Sequence, residues 1–347
     1  MGVIDELEQY IEGIEKLISI LMDEPSVRAE KVNHGNLVNW EEARKNRLLS
    51  TIKECGLQSF LEKQKCENRV HITSLLTAIQ SLCKELIHLY SGMRDNEVLQ
   101  LDYHCINVDK SELRPRARII GNTTKYVGNK KVEQWITSSD IERVINILQA
   151  MARPIARNIG LSLVPGSSNL CPLFISMVYI SRFNATIRNH PLGKRADANN
   201  IRITKQLVSL NQVEIKEEDI VFLERLDPVR DWRTNKKYTV GNTWRFTSHQ
   251  YRRSLAVYAA QSGLVSLGSL QTQLKHLLRE VTFYYANGAE NLGGLFEIGN
   301  NHVANVYKSQ KALADFTAYI IDVIFSEEPL LGGLESLLIS KGIQLMG

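Results

Sequence analysis

Residues 72–99 read ITSLLTAIQSLCKELIHLYSGMRDNEVL. Leu75, Ile79, Leu82, Leu86 and Leu89 step by four, three, four and three residues, the spacing of one helix face. That spacing predicts a helix over 72–90 with one buried leucine stripe. Gly92 is placed to end it, because glycine accepts the left-handed backbone that closes many helices. Arg94 follows in Ser91-Gly92-Met93-Arg94-Asp95-Asn96-Glu97-Val98-Leu99, just past the helix end. Then the pattern changes. Val98–Val108, Arg114–Ile120 and Val132–Thr137 read as three short strands, the last two joined by a turn at Gly128-Asn129. The class implied is mainly α with a small antiparallel β-sheet, an α+β chain.

Outward from this block the helical pattern dominates. On the C-terminal side a helix is expected from Ser139, with Glu142 completing a capping box. Residues 165–245 are broken by Pro165, Gly166, Pro172, Pro191, Gly193 and Pro228, and Gly241-Asn242 suggests a hairpin within Tyr238–Phe246. From Ser248 helical spacing resumes, including a late stripe of Val303, Val306, Leu313, Phe316, Ile320 and Val323. On the N-terminal side, Ile4, Leu7, Ile11, Ile14, Leu17, Ile18 and Leu21 predict one amphipathic helix over 3–22. A loop is expected over 25–40, then a helix from about Trp40 to Cys55 with Gly56 as its stop. Trp40, Trp135, Trp232 and Trp244 read as packing residues.

Composition narrows the class. Hydrophobic residues make up 44 % of the 347 and charged residues 23 %, fractions of a globular chain and not of a disordered or fibrous one. No run of about 18 apolar residues is present, so no membrane span is expected. The start carries Asp5, Glu6 and Glu8 where a secretory signal needs positive charge, so a cytoplasmic protein is expected. Cys55, Cys66, Cys83, Cys105 and Cys171 are odd in number and lack CxxC spacing, which argues for reduced thiols, with no disulfide framework and no zinc site. The net charge of +4 is a cancellation. Residues 91–288 hold 28 Lys+Arg against 17 Asp+Glu, whereas 1–90 and 289–347 are net acidic by 3 and 4. A basic middle suggests a polyanionic partner, most often nucleic acid.

Two more clusters lie in that middle: Thr247-Ser248-His249-Gln250-Tyr251-Arg252-Arg253, and Leu274-Lys275-His276 followed by Thr282-Phe283-Tyr284-Tyr285. His249 and Arg252 share one helix face. From His249 to His276 is 27 residues, and from His276 to Tyr285 is nine. An arginine after a helix, a lysine in a hairpin, a His-x-x-Arg, a histidine and a tyrosine come in this order at these distances. The succession resembles the catalytic domain of the tyrosine recombinases, the phage integrase family, over residues 72–290. Residues 1–71 would then be a helical N-terminal extension and 291–347 a C-terminal helical tail. The chain departs from the family at Lys275, where a glycine is usual, in a longer segment before His249, and in having Tyr284 beside Tyr285. Only about 70 net-acidic residues precede the matched region, too few for the usual DNA-clamping domain. The expectation is the C-terminal part of a longer integrase, or one with an unusual N-terminus.

The resemblance implies a site-specific recombinase acting on double-stranded DNA through a 3′-phosphotyrosine, with no cofactor and no metal. It further implies a homotetramer on DNA and a bacterial or phage-encoded source, serving integration or excision of a phage or genomic island. Tyr285 matches the nucleophile, with Tyr284 as its rival. Arg94 and Arg252 match the phosphate-binding pair; guanidinium forks suit non-bridging oxygens and stay charged at any working pH. Lys125 matches the hairpin general acid, with Lys130 and Lys131 as alternatives. His249 matches the acid/base helper, His276 a phosphate hydrogen-bond donor, and Glu97 a group orienting Arg94. Arg182, Arg188, Lys194, Arg195, Arg202 and Lys205 are candidates for a DNA channel. Arg114, Arg116 and Arg118 share one strand face, either on DNA or in solvent. The C-terminal helix either docks on a neighbouring protomer or packs on its own domain. A relaxing enzyme of the topoisomerase IB kind, and a DNA-binding relic without turnover, share most of these features.

Overall fold

The computed structural model describes residues 2–23, 37–109, 116–126, 129–181, 213–244, 246–262, 264–276 and 281–282. Amphipathic spacing at the N-terminus yields two helices, α1 (Gly2–Gln9) and α2 (Ile11–Asp23), and not the single one expected. The chain turns at Tyr10, whose ring stacks on Phe60 with centroids 4.9 Å apart. Beyond this turn α2 lies so close to the next segment that a Cβ at Gly13 would sit 2.4 Å from the Cys55 carbonyl oxygen. Then come α3 (Leu37–Glu54), which starts three residues before Trp40, and α4 (Gln58–Lys63).

Helix α5 (Arg69–Ser91) is capped by Asn68, whose side chain accepts the His71 N–H at 2.9 Å, and is ended by Gly92 at φ +67°. The expected stripe is buried in its first half, at Leu75 and Ile79, but not in its second. Ile72, Leu76, Ile79, Cys83 and Ile87 are buried, whereas Leu82 and Leu86 are half-buried and Leu89 is 42 % exposed. Several elements pack around α5, so leucine spacing alone does not tell which face lies deepest.

A single turn, α6 (Asp95–Leu99), follows, and three antiparallel strands in the order β1-β2-β3 form the sheet. β1 is only Ile106–Asp109; Val98 and Leu99, expected as its start, end α6 instead, where Glu97 fixes the N-terminus of that turn. β2 (Arg116–Tyr126) and β3 (Asn129–Thr137) make a hairpin, with Ile119 opposite Trp135 and Tyr126 opposite Asn129. Period-two alternation buries Ala117, Ile119, Gly121 and Thr123 and leaves Arg116 and Arg118 exposed on the outer face. Arg114 lies outside the described residues.

Helix α7 (Ile141–Ile159) begins two residues later than expected. Asp140 stands at its N-cap with no side-chain cap bond, and Ser138 Oγ accepts the Asp140 N–H at 3.2 Å. The capping box expected from Ser139 therefore does not form. α2 lies along α7, and one apolar cluster runs through α1, α2, α5, α7 and the inner sheet face. Acidic residues of the first helices bind α7: Arg143 Nη2 meets Asp5 and Glu8, and Arg153 Nη1 meets Glu15 at 2.6 Å. The acidic N-terminus thus partly neutralises basic residues of the middle segment.

Short α8 (Val178–Ser181) packs on α5. α9 (Glu217–Leu226) carries a second small cluster around Ile215, Ile220 and Trp232. The Gly241-Asn242 turn is present, but it does not make a local hairpin. Residues 213–215 pair with 241–244 across it, with Trp244 N–H on Val213 O at 2.8 Å, while Lys236–Tyr238 is a 3-10 turn. α10 (Ser248–Ser262) packs on α5, and α11 (Leu267–Leu274) packs on α10 and β3.

The described chain is mostly helical with one three-stranded antiparallel sheet, an α+β fold. Among the described residues no helix is long and apolar enough to cross a membrane. The five cysteines form no disulfide, and burial raises the thiols of Cys83 and Cys105 to about 12 and that of Cys66 to about 11. At those values they stay protonated and serve as packing groups. Trp135 is fully buried and Trp232 nearly so.

Candidate active site

The start of α6, the start of α10 and β2 line a cavity of about 250 Å³, with Arg94, Asp95, Glu97, Thr123, Ser248, His249 and Arg252 among its walls. It is smaller than typical drug-sized pockets, which start near about 300 Å³, and its lining sets the guanidiniums of Arg94 and Arg252 beside the carboxylates of Asp95 and Glu97. Five of its lining residues, Met93 to Glu97, come from the stretch after α5, three come from α10 about 155 positions later, and Thr123 comes from β2.

Gly92 makes the approach possible. At φ +67° it turns the chain out of α5, and a Cβ there would stand 2.8 Å from Leu255 Cδ2 on α10. Arg94 then opens α6. Glu97, 5 % exposed, accepts the Arg94 backbone N–H at 2.7 Å, Arg94 Nη1 at 2.6 Å and the Thr123 hydroxyl at 2.9 Å. A carboxylate this deep requires such donors. Glu97 therefore fixes the guanidinium direction and ties it to β2.

Arg252, 2 % exposed, donates Nη1 to Gly92 O and Nη2 to Leu274 O, and Nη2 lies 2.9 Å from His276 Nε2. Arg94 Nη2 reaches the same Leu274 oxygen at 3.4 Å and Lys275 O at 3.3 Å. Two guanidiniums, 158 residues apart in sequence, thus converge on one carbonyl at the end of α11. Guanidinium has no acceptor, so His276 Nε2 accepts from Arg252. In the neutral ring Nδ1 then carries the proton and donates to Thr282 Oγ1 at 3.0 Å.

Neighbouring groups hold these elements in place. Gln273 donates Nε2 to Ser91 O at 2.8 Å and to Ile136 O at 2.9 Å, and its Oε1 accepts the Ile136 N–H at 3.1 Å. Its amide closes the free edge of β3 and joins α11 to the end of α5. Tyr251 donates to Glu85 Oε2 at 2.9 Å, which sets the rotation of α10 on α5. Burial pushes the Glu85 carboxyl above its ordinary range, against the Tyr251 hydrogen bond. His88 is buried between Met93 O at 2.9 Å and Asp95 Oδ1 at 3.3 Å. The His88 contact, then that of Lys84, holds Asp95 well below the usual carboxylate range.

The residues singled out by sequence fall in three groups. Arg94, Glu97, Arg252 and His276 are joined by hydrogen bonds, and exposed His249 lines the same cavity. Lys125 lies on β2, two residues beyond Thr123, which lines the cavity. Of its alternatives, Lys131 is bound to Glu133 at 2.7 Å, and Lys130 is on β3. Tyr284, Tyr285, Arg182, Arg188, Lys194, Arg195, Arg202 and Lys205, and the late helical stripe, lie outside the described residues.

Thr123, Gln273 and the Glu85–Tyr251 pair carry no sequence signal, because their roles rest on contacts between segments far apart in the chain, and Thr282 reaches His276 from six residues on. Chemically, the arrangement is a small cavity walled mostly by polar and charged residues, with two oriented guanidiniums and an exposed imidazole beside it. It can hold a doubly coordinated anion and move a proton next to it. No protein-family model, no curated protein and no solved structure matches the chain.

Proposed function

We propose that the protein is a tyrosine recombinase that cleaves and rejoins double-stranded DNA. The observation that carries this reading is the convergence of Arg94 and Arg252 on the Leu274 carbonyl, beside His276, at a small cavity that His249 also lines. These are the residues whose order and spacing resemble the family.

The scissile phosphate enters the cavity, and its non-bridging oxygens take hydrogen bonds from Arg94 and Arg252. The Tyr285 oxygen attacks phosphorus and loses its proton to His249 or to water. The P–O5′ bond breaks, and Lys125 gives a proton to the departing 5′-oxygen. The products are a 3′-phosphotyrosine and a free 5′-hydroxyl. The covalent link keeps the bond energy, so attack by a second 5′-hydroxyl reverses the step without an external energy source. Fixed cations aimed at the charge that builds on phosphorus are the largest source of stabilisation in such a step. His276 acts first on Arg252, and reaches the phosphate once that contact opens.

A duplex nicked near the crossover traps the intermediate, because the cut end diffuses away. Mixing it with the protein is expected to give a covalent adduct that Tyr285→Phe abolishes and Tyr284→Phe does not. Arg94→Ala and Arg252→Ala are each expected to cost about 3 kcal/mol in the cleavage barrier. Wild-type cleavage by either arginine variant sinks the assignment. No adduct with any duplex points to a DNA-binding relic, and an adduct with arbitrary duplex points to a relaxing enzyme.

A further inference from the structure

Lys275 occupies a place where neither its backbone nor its side chain is at ease. Its φ and ψ are 52° and 45°, the left-handed region; among the described residues only Lys65 shares that state without being glycine. Its side chain is only 7 % exposed, although lysines are rarely buried unless paired. The ammonium lies 3.3 Å from Glu133 Oε2 and 5.3 Å from the centre of the buried Trp135 ring, a cation–π position. The other oxygen of Glu133 binds Lys131 at 2.7 Å. The Lys131 contact, followed by the charge of Lys275, lowers the Glu133 carboxyl.

We propose that Lys275 is a positioning residue whose ammonium, clamped between Glu133 and Trp135, fixes the turn that orients Arg94 and Arg252. The proposal deepens the recombinase reading and rests on it. The turn is where the site is hung. Leu274 O accepts from both arginines, Lys275 O accepts from Arg94, and His276 follows directly. On its sheet side the turn has, among the described residues, the Gln273 amide on Ile136 and the Lys275 ammonium on Glu133, both on β3, as attachments. Glycine at 275 would relax the backbone and remove the second attachment. The ion pair does what glycine cannot: it sets how far the two carbonyls stand from the sheet.

The test uses the full chain with Lys275→Gly, Lys275→Met, Lys275→Arg, Glu133→Gln and the double variant Lys275→Met/Glu133→Gln. Adduct formation on the nicked duplex is followed at saturating DNA and as a function of DNA concentration. Lys275→Met, Lys275→Gly and Glu133→Gln are each expected to slow cleavage at saturation about tenfold, the effect of a small misplacement, with half-saturation unchanged. Lys275→Arg restores most of the rate, and the double variant is no slower than either single one. Full speed in Lys275→Met, a loss confined to half-saturation, or multiplying losses overturns the proposal. A second readout needs no cleavage. Phenylglyoxal modification mapped by mass spectrometry is expected to reach Arg94 faster in Lys275→Met than in wild type, with Arg143 unchanged as the internal reference. Equal Arg94 reactivity overturns the proposal even if no duplex is ever cut. Absence of any wild-type adduct alone strikes the recombinase reading and leaves this readout decisive. If Lys275→Gly fails to fold, Lys275→Arg and Glu133→Gln carry the test.

Discussion

Exchanging Glu97 for glutamine changes the charge at the heart of the site with almost no change in shape. The carboxylate accepts three donors: the Arg94 N–H at 2.7 Å, Arg94 Nη1 at 2.6 Å and the Thr123 hydroxyl at 2.9 Å. One oxygen serves Nη1 and Thr123, and the other serves the backbone N–H. Glutamine offers one oxygen and one NH₂, so in either orientation an NH₂ meets an N–H donor. A buried donor left without an acceptor costs about 1–3 kcal/mol, and the remaining bonds lose their charge assistance. The Arg94 side chain is 24 % exposed, so water recovers part of the loss. The sum is about 2–3 kcal/mol of folding stability. Urea unfolding at neutral pH reads it as a lower midpoint at unchanged slope. Arg94→Ala is expected to cost less in the Glu97→Gln background than in wild type, because both changes break the same contact. A Glu97→Gln midpoint equal to wild type, with additive effects in the double variant, would refute the role of Glu97 as the group that orients Arg94.

Three further outcomes follow from the contacts above. Asp95 is held well below its ordinary range, so its contribution is full above about pH 4 and is lost as pH falls through the folded value; acid unfolding of Asp95→Asn is expected to be flatter below pH 4 than that of wild type, and parallel curves contradict this. Glu85 is shifted the other way, so its ionisation weighs against the fold once pH rises past its unfolded value; Glu85→Gln, which still accepts from Tyr251, is expected to gain stability relative to wild type as pH rises from 4 to 8, and a gain that shrinks over this range contradicts the assignment. Removing residues 1–23 strips Ile14, Leu17, Ile18, Leu21 and Met22 from the core; at about 1.5–3 kcal/mol per side chain the loss matches the whole stability of an ordinary domain, so a shortened chain that is soluble and melts cooperatively at the wild-type temperature sinks the view that these helices belong to the core.

Much of the fold is legible locally, and each exception has a physical cause. Gly92 ends its helix as its conformational freedom predicts, and the hairpin turns between Tyr126 and Asn129, where Gly128-Asn129 points. Val98 and Leu99 have the look of a strand but finish a helical turn, because Glu97 caps that turn from inside the site. The leucine stripe of α5 is buried at Leu75 and Ile79 and drifts to a margin at Leu82, Leu86 and Leu89, because the helix is covered on several sides. Gly241-Asn242 turns the chain without pairing its own flanks, because residues 213–215 supply the partner. For α5 and for Gly241-Asn242 a distant contact overrides a local preference, whereas at Val98 and Leu99 a cap spanning three residues does so.

The sequence by itself determined which chemical groups are available and in what order: Arg94 after a glycine-ended helix, His249 and Arg252 on one helix face, His276 after a further helix. Only the tertiary structure decided that Arg94 and Arg252 share the Leu274 oxygen, that Glu97 and Thr123 aim the first of them, and that Lys275 reaches Glu133. The physical reason is that the shared acceptor is a backbone carbonyl. Every residue carries one, so no residue type announces it, and only the packing of α11 against α10 and β3 selects which oxygen the two arginines find.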